Sequence, residues 1–376
     1  MMLRSLKLVD FKSFRDTRIA FGPFTVLVGT NASGKSNVQD ALRFLHGCAQ
    51  GFTVAEVMDE KWGPGGLLLW RGIRGGGREI IRAGGDSFNL EAAVDLPRGK
   101  RCKYTVTVGF HADLKALGVQ DEDLFVDDHK AYVGGPPAGR PSLTRLSEAG
   151  PLVEALKNIR FLDLAPDAMR LPSTPGEQSL GDRGENLSTV LLNLTADAAK
   201  KEALLGWLRG LTPLDVVDLR FHEDLAGRVL VYLVEAGGRE ISALSASDGT
   251  LRFLALAAAL LTGKSGHLFF IEEIDNGLHP TRLHLLLDVI EQATRHYGCQ
   301  VVATTHNPQL LAYLSPAARE DAVLLYRREH EDSSGAIRIV DLPDVRRILE
   351  SQDLGRLFAT GWLEDAAELM GTEASR

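Results

Sequence analysis

The sequence predicts an α/β fold with a mostly parallel core sheet, and three observations carry that prediction. PFTVLVGT (23–30) is a short continuous apolar run, the pattern of a strand buried on both faces of a parallel sheet. HLFFIEE (267–273) and CQVVATTH (299–306) are apolar runs that end in polar residues, as parallel strands do where they present reactive groups at their carboxyl ends. A helical pattern follows the first of these strands at once: SNVQDALRFLHGCA (36–49) spaces Val38, Ala41, Leu42 and Leu45 on one face.

The other elements follow in chain order. LRSLKLVDF (3–11) alternates as a strand does, and residues 1–30 as a whole read as strands. WGPGGLLLWRGIRGGG (62–77) holds seven glycines in sixteen positions, so a flexible loop is expected there. SFNLEAAVDL and RCKYTVTVGF alternate around PRGK, which predicts an antiparallel hairpin near 87–110. GGPPAGRP (134–141) and LPSTPGEQ (171–178) break an irregular middle region. NLSTVLLNL, AKKEALLGWLRGL and RFLALAAALL read as helices, with RVLVYLVEA a strand between the last two. The expected organisation is an N-terminal half with the hairpin (1–110), an irregular and helical middle (111–240), a C-terminal half (241–315) and a strand/helix tail (316–376). No repeat of 20–50 residues and no long heptad run is present, which excludes coiled-coil arms within the chain.

Composition narrows the class. The 376 residues are 44% hydrophobic and 24% charged, an ordinary globular balance. Forty-two basic against fifty acidic residues give a net charge of −8, so the chain as a whole is no basic nucleic-acid coat. Three dispersed cysteines, Cys48, Cys102 and Cys299, form neither a zinc pattern nor a disulfide framework, and the longest apolar run, Phe253 to Leu261, is too short to span a bilayer. A cytoplasmic protein without a membrane segment is expected.

Four local patterns carry chemistry. Gly29-Thr30-Asn31-Ala32-Ser33-Gly34-Lys35-Ser36 fits G-x-x-x-x-G-K-[ST], a phosphate-binding loop that arises by chance about 0.02 times in a chain of this composition. Its backbone N–H groups converge on phosphate at a helix start, Lys35 neutralises β- and γ-phosphate charge, and the Ser36 hydroxyl ligates Mg²⁺. Glu272 and Glu273 end an apolar strand, where one acid supports Mg²⁺ and the next orients water; two solvated acids are the plainer reading. His306 ends another strand and by itself is an ordinary surface histidine. Ser247 and Gly249 stand immediately before the helix that begins at Leu251, where an anion would be favoured, although Ser is also a common N-cap.

In this order the four patterns resemble the ATP-binding-cassette (ABC) ATPase superfamily, and within it the RecF/SMC/OLD-like branch of stand-alone "AAA family ATPases". The resemblance covers most of the chain and rests on LRSLKLVDFKSF, the loop continuing as GKSN, SDGTLR in place of LSGGQ, IEEIDNGLHP, TTHNPQLL and GDRGENLSTVLLNL. It implies an ABC-type P-loop NTPase head with an antiparallel β-subdomain and a helical signature subdomain. It also implies ATP and Mg²⁺ as cofactors, Asn31, Ala32, Ser33, Gly34, Lys35, Ser36 and Asn37 on the phosphates, and Ser36 with Glu272 on the metal. Glu273 is then the catalytic glutamate, His306 the switch histidine, and Ser247 and Gly249 the signature residues acting on a partner's nucleotide. Lys12, in DFKSF, is similar to a basic residue this branch places near the phosphates.

Three features depart from the pattern. Glu272 replaces the commoner Asp. None of Gln39, Gln50, Gln120 and Gln178 follows an obvious strand as a Q-loop glutamine would. The 70 residues after His306 show no acidic Toprim-like constellation, so no nuclease activity of the chain itself is expected.

The resemblance implies a homodimer formed on ATP binding, acting as a switch on a DNA-directed or antiphage effector encoded nearby. The alternatives are a RecF-type DNA-binding repair clamp and the nucleotide-binding subunit of a transporter. Arg71, Arg74, Arg78 and Arg82 around the Gly-rich loop suit either a phosphate backbone or solvent. The acidic run Asp121-Glu122-Asp123 with Asp127 and Asp128 lacks fixed cation-ligand spacing and is expected to be a solvated face.

Overall fold

The computed structural model describes residues 1–63, 68–112, 115–133, 139–211, 215–328 and 332–373. The chain divides into two units, Met1–Ile159 with Pro316–Gln352 and Leu357–Arg376, and Arg160–Ser315 with Asp353–Arg356. The first begins with β1 (Met2–Phe11), β2 (Phe14–Ala20), β3 (Phe24–Val28) and α1 (Lys35–Ala49). It continues through α2 (Val54–Met58), β4 (Lys61–Trp62), β5 (Leu68–Trp70), α3 (Gly76–Glu79), β6 (Ser87–Asp95), β7 (Arg101–His111), β8 (Ala116–Val126), β9 (His129–Val133) and α4 (Gly150–Lys157). The second runs from β10 (Ile159–Leu162) through α5 (Pro166–Met169), α6 (Leu187–Thr195), α7 (Ala198–Leu211), β11 (Val216–Glu223), β12 (Val229–Glu235), β13 (Glu240–Ser242), α8 (Asp248–Thr262), β14 (Leu268–Ile271), α9 (Leu283–Tyr297), β15 (Gln300–Thr305) and α10 (Pro308–Ala312). The chain then returns to the first unit with α11 (Pro316–Glu320), β16 (Val323–Arg328), β17 (Ser333–Arg338) and α12 (Val345–Ile348); α13 (Leu354–Ala359) begins in the second unit's last segment, and α14 (Trp362–Glu373) follows in the first.

In the first unit the strand order is β3-β16-β17-β2-β1-β6-β7-β8-β9. The strand before the phosphate loop, β3, is buried at every position and pairs in parallel with β16, Leu27 opposite Val323 and Val28 opposite Leu324. Burying each such Val or Leu contributes about 1.5–3 kcal/mol, which explains why a largely apolar run occupies this fully buried strand. β17 pairs in parallel with β2 at Ser334 and Phe14, whereas β16–β17, β1–β2, β1–β6, β6–β7, β7–β8 and β8–β9 are antiparallel. The C-terminal residues therefore supply the strand beside the phosphate-loop strand. Phe88 of β6 contacts Phe11 and Phe44 edge to face, each at 5.3 Å between centroids, and so seats α1 against the sheet.

The predicted hairpin is present as β6 and β7, in register from Ser87–Gly109 to Asp95–Arg101. Beyond the expected span, β8 and β9 extend it. The Gly-rich span is more ordered than expected. β5 pairs with β4, α3 follows, and the buried Trp70 indole N–H donates to the Val57 carbonyl at 3.1 Å. Packing of Trp70 outweighs the local glycine content there; residues 64–67 of that span lie outside the described residues.

A second correction concerns the acidic run. Glu122 is 2% exposed and faces inward rather than solvent. Its carboxylate accepts from the Tyr104 hydroxyl (2.7 Å) and from the backbone N–H groups of Ser142 (2.7 Å) and Leu143 (3.0 Å). Three donors replace the water that a charge run normally keeps. Asp123 pairs with Lys130 at 3.1 Å, and the Asp127 carboxylate accepts from the Arg101 N–H at 2.8 Å. Most of the breaker at 134–141 lies outside the described residues.

In the second unit β10, β14 and β15 are neighbours in that order, and β14 pairs with β15 in parallel from Leu268–Gln300 to Ile271–Ala303. β11, β12 and β13 form a separate antiparallel sheet. The helices α6, α7 and α9 pack on α8, which buries eleven of its fifteen residues. Among the described residues no helix is long and apolar enough to cross a membrane.

Candidate functional site

In the first unit the phosphate loop is closed by the geometry that its glycines permit. Gly34 is the N-cap of α1 at φ 109°, a left-handed conformation that L side chains rarely adopt, and Ala32 is also left-handed at φ 64°. A Cβ on Gly34 would lie 2.8 Å from Phe14 Cζ, and one on Gly29 would lie 2.2 Å from the Leu325 carbonyl oxygen of β16. Lys35 Nζ donates back over the loop to the carbonyl oxygens of Gly29 (2.5 Å) and Thr30 (2.8 Å). Ser33 is 1% exposed, and its Oγ has no hydrogen-bond partner among the described residues. The first turn of α1 holds no acidic residue, so the positive end of a 15-residue helix is left uncompensated by its own side chains.

Lys12 is brought to this helix. At φ 52° in the turn between β1 and β2, it donates to the Asp40 carboxylate at 2.6 Å and to the Arg74 carbonyl at 2.7 Å. Asp40 lies one helical turn beyond Ser36 and is 2% exposed. Arg74 Nε reaches the same carboxylate at 3.4 Å, while its Nη2 donates to the Ser36 carbonyl at 2.5 Å. Of the arginines around the Gly-rich loop, Arg74 is therefore engaged with α1. Asn37 Nδ2 donates to Ser13 Oγ at 2.8 Å, and Ser334 Oγ donates to the same atom at 2.8 Å, which joins the β1–β2 turn, α1 and β17.

In the second unit the paired acids follow β14. Glu272 is half-buried, and Glu273 is exposed at φ 46°. The Glu273 N–H donates to Thr304 Oγ1 at 3.0 Å, and Asn276 Nδ2 donates to Glu273 Oε2 at 3.3 Å. His306 stands exposed just past the end of β15. Ser247 is the N-cap of α8, and its Oγ accepts from the Thr250 N–H at 3.2 Å. Arg170 ties this helix start by donating to the Ala246 carbonyl (3.1 Å) and the Asp248 carboxylate (2.6 Å). A Cβ on Gly249 would lie 2.2 Å from the carbonyl oxygen of Gly277, so the α8 start packs directly on the turn that follows Glu273.

Asp40, Arg170 and Asp275 were not singled out by the sequence patterns, and Arg74 was singled out only as one of the arginines around the Gly-rich loop. Asp40 left no local signal, since Gln39 and Arg43 beside it are polar and buried as well. The three cysteines are buried. Desolvation pushes the thiols of Cys48 and Cys102 up and that of Cys299 to about 11, which removes them as candidate nucleophiles. Among the described residues no cluster of three or more His, Cys, Asp or Glu could hold a metal alone.

The family comparisons agree with these features. Residues 1–61 match a model described as "AAA ATPase domain", and residues 138–312 match one described as "AAA domain, putative AbiEii toxin, Type IV TA system". The chain is similar to "DNA replication and repair protein RecF" of Paenarthrobacter aurescens (strain TC1), 30% identical over 145 residues, 37% of this chain and 33% of that protein. It is also similar to "Structural maintenance of chromosomes protein 1" of Saccharomyces cerevisiae, 35% identical over 74 residues, 19% of this chain and 6% of that protein. The chain thus matches about a third of the length of its RecF relatives. A solved Smc head bound to the C-winged helix domain of ScpA shares the fold, with a TM-score of 0.57 at 16% identity over 90% of this chain and 97% of that one. Phosphate loop, paired acids on a buried strand and the Smc-head-like α/β fold support the resemblance to ABC-type P-loop ATPases. The RecF and Structural maintenance of chromosomes relatives and the Smc-head fold agree with the resemblance to the RecF/SMC branch.

Proposed function

We propose that the chain binds and hydrolyses ATP with Mg²⁺ and acts as an ATP-dependent dimer. The observation that carries this reading is the phosphate loop itself: a left-handed Gly34 cap whose Cβ would clash, the Lys35 ammonium held over loop carbonyls, and the buried Ser33 hydroxyl. Backbone N–H groups of Asn31 to Ser36 would hold the phosphates, with Asn37 beside them and Lys35 countering their charge. The Ser36 hydroxyl and the Glu272 carboxylate are hard oxygen donors of the kind Mg²⁺ takes together with phosphate oxygens. Bound there, the ion would neutralise charge developing on the transferred phosphoryl group. Lys12 would add positive charge near the same phosphates.

Glu273 would accept a proton from, or orient, the attacking water in line with the γ-phosphorus, and His306 would report on the γ-phosphate. Ser247 and Gly249 would act on the nucleotide of a second copy, so ATP closes a two-fold dimer and hydrolysis releases it. The output we propose is a switch on an effector that acts in defence. The toxin–antitoxin description of the model matching residues 138–312 favours this over a repair clamp.

Calorimetric titration with Mg-ATP, steady-state phosphate release and light scattering test the proposal. The wild-type chain binds and hydrolyses ATP, Lys35→Ala loses binding, and Glu273→Gln binds, stops turning over and accumulates dimer. A wild-type chain that binds no nucleotide overturns the function. A Glu273→Gln chain that hydrolyses at the wild-type rate overturns the assignment of that residue.

A further inference from the structure

The turn after β14 and the end of β15 carry Glu273 and His306, and one carboxylate that the mechanism above does not use ties them together. Asp275 lies in the turn two residues past Glu273. Its Oδ1 accepts from Thr305 Oγ1 at 2.7 Å and its Oδ2 from Asn307 Nδ2 at 3.0 Å, the residues on either side of His306. The Asn307 N–H donates in turn to Thr305 Oγ1 at 3.0 Å. On the other side of Asp275, the Glu273 N–H donates to Thr304 Oγ1 at 3.0 Å and the Ile274 N–H to the Thr304 carbonyl at 3.1 Å. The Asn276 N–H closes the turn on the Glu273 carbonyl at 2.9 Å. Thr304 and Thr305 are 3% and 0% exposed, so these bonds form in a largely dry environment where they hold geometry well.

We propose that Asp275 is a positioning residue. By gripping the residue on each side of His306 it fixes the backbone that presents the imidazole, and it couples that backbone to the turn that sets Glu273. Glu273 depends on that turn, because at φ 46° it holds a conformation that only the surrounding hydrogen bonds maintain. His306, being exposed, has little packing of its own to hold it. Two reacting groups on separate chain segments are thereby given one common support, and small misplacements of such groups cost large factors in rate.

This role rests on the ATPase reading, and the experiment separates the two. Asp275→Ala and Thr305→Val, the latter isosteric, are compared with wild type for kcat, for the Kd of Mg-ATP and for melting temperature. Single-turnover phosphate release is then measured for each in a His306→Ala background. Asp275→Ala is expected to lower kcat about tenfold or more with Kd changed less than about twofold. Thr305→Val, which leaves the Asn307 tie, lowers kcat less, and in the His306→Ala background Asp275→Ala causes a clearly smaller further loss, the part that acts through Glu273. Should Asp275→Ala fail to fold, Thr305→Val decides the matter by the same readouts. A wild-type chain without ATPase activity overturns the ATPase reading and this role with it. An active wild type with unchanged kcat in these variants, or an undiminished further loss in the His306→Ala background, overturns the positioning role alone.

Discussion

Replacing Asp40 by alanine removes a buried anion from between two cations, and the structure sets the size of the effect. Asp40 is 2% exposed, and its Lys12 partner lies 2.6 Å away with a side chain only 10% exposed. Removing one member of a buried pair costs about 3–5 kcal/mol, because the other is left as an uncompensated charge. Here Lys12 keeps the Arg74 carbonyl as an acceptor, which lowers that figure. Arg74, with a side chain 48% exposed, adds no more than a surface pair, about 0–1 kcal/mol. The expected loss for Asp40→Ala is therefore about 2–4 kcal/mol, a large part of the ~5–15 kcal/mol that holds a folded domain together. Equilibrium urea denaturation with unchanged slope reads it directly. Because the cost lies in the stranded cation, Lys12→Met with Asp40→Leu should recover most of the loss. A loss below about 0.5 kcal/mol for Asp40→Ala, or a double variant as unstable as the single, refutes the reasoning.

Three further outcomes follow from geometry elsewhere. Glu122→Ala strands the Tyr104 hydroxyl and two backbone N–H groups in the interior and should destabilise by about 3–5 kcal/mol, whereas a solvated acid would cost under about 0.5 by urea denaturation. Gly249→Val places a side chain where a single Cβ already lies 2.2 Å from the Gly277 carbonyl oxygen, so phosphate release should fall at least about tenfold while Mg-ATP binding persists; full activity contradicts the close packing. Burial raises the pKa of all three thiols, so at pH 8 they stay protonated and enclosed in the native protein; iodoacetamide should label them only after unfolding, and rapid native labelling of Cys48 contradicts that burial.

What was legible in the sequence was what short-range patterns encode. Phe24–Val28, Leu268–Ile271 and Gln300–Thr305 are strands because runs of that length with β-branched and aromatic residues satisfy a buried sheet position, and the G-x-x-x-x-G-K-S spacing required a loop at a helix start. Lys12 was expected from resemblance near the nucleotide phosphates; its ion pair with Asp40 of α1 was not legible in any local pattern. Pairing between distant segments was not legible. Nothing in the local pattern of Val323–Arg328 says that it lies beside Phe24–Val28, or that Leu325 is what requires a glycine at position 29. Glu122 was misread because a charge run looks solvated until the donors supplied by Tyr104, Ser142 and Leu143 are known. Asp275 was passed over because its partners lie about thirty residues away, beyond any local pattern.

Phosphate release from a covalently linked dimer tests most directly whether ATPase sites are completed by a second copy. One half carries Lys35→Ala and the other Ser247→Ala, each of which abolishes activity when present in both halves. The account predicts measurable ATP hydrolysis, because the intact phosphate loop of one half meets the intact Ser247 helix start of the other. An inactive mixed dimer beside an active linked dimer of one wild-type half and one Lys35→Ala, Ser247→Ala half would contradict it, because only sites complete within one copy leave the latter a working site.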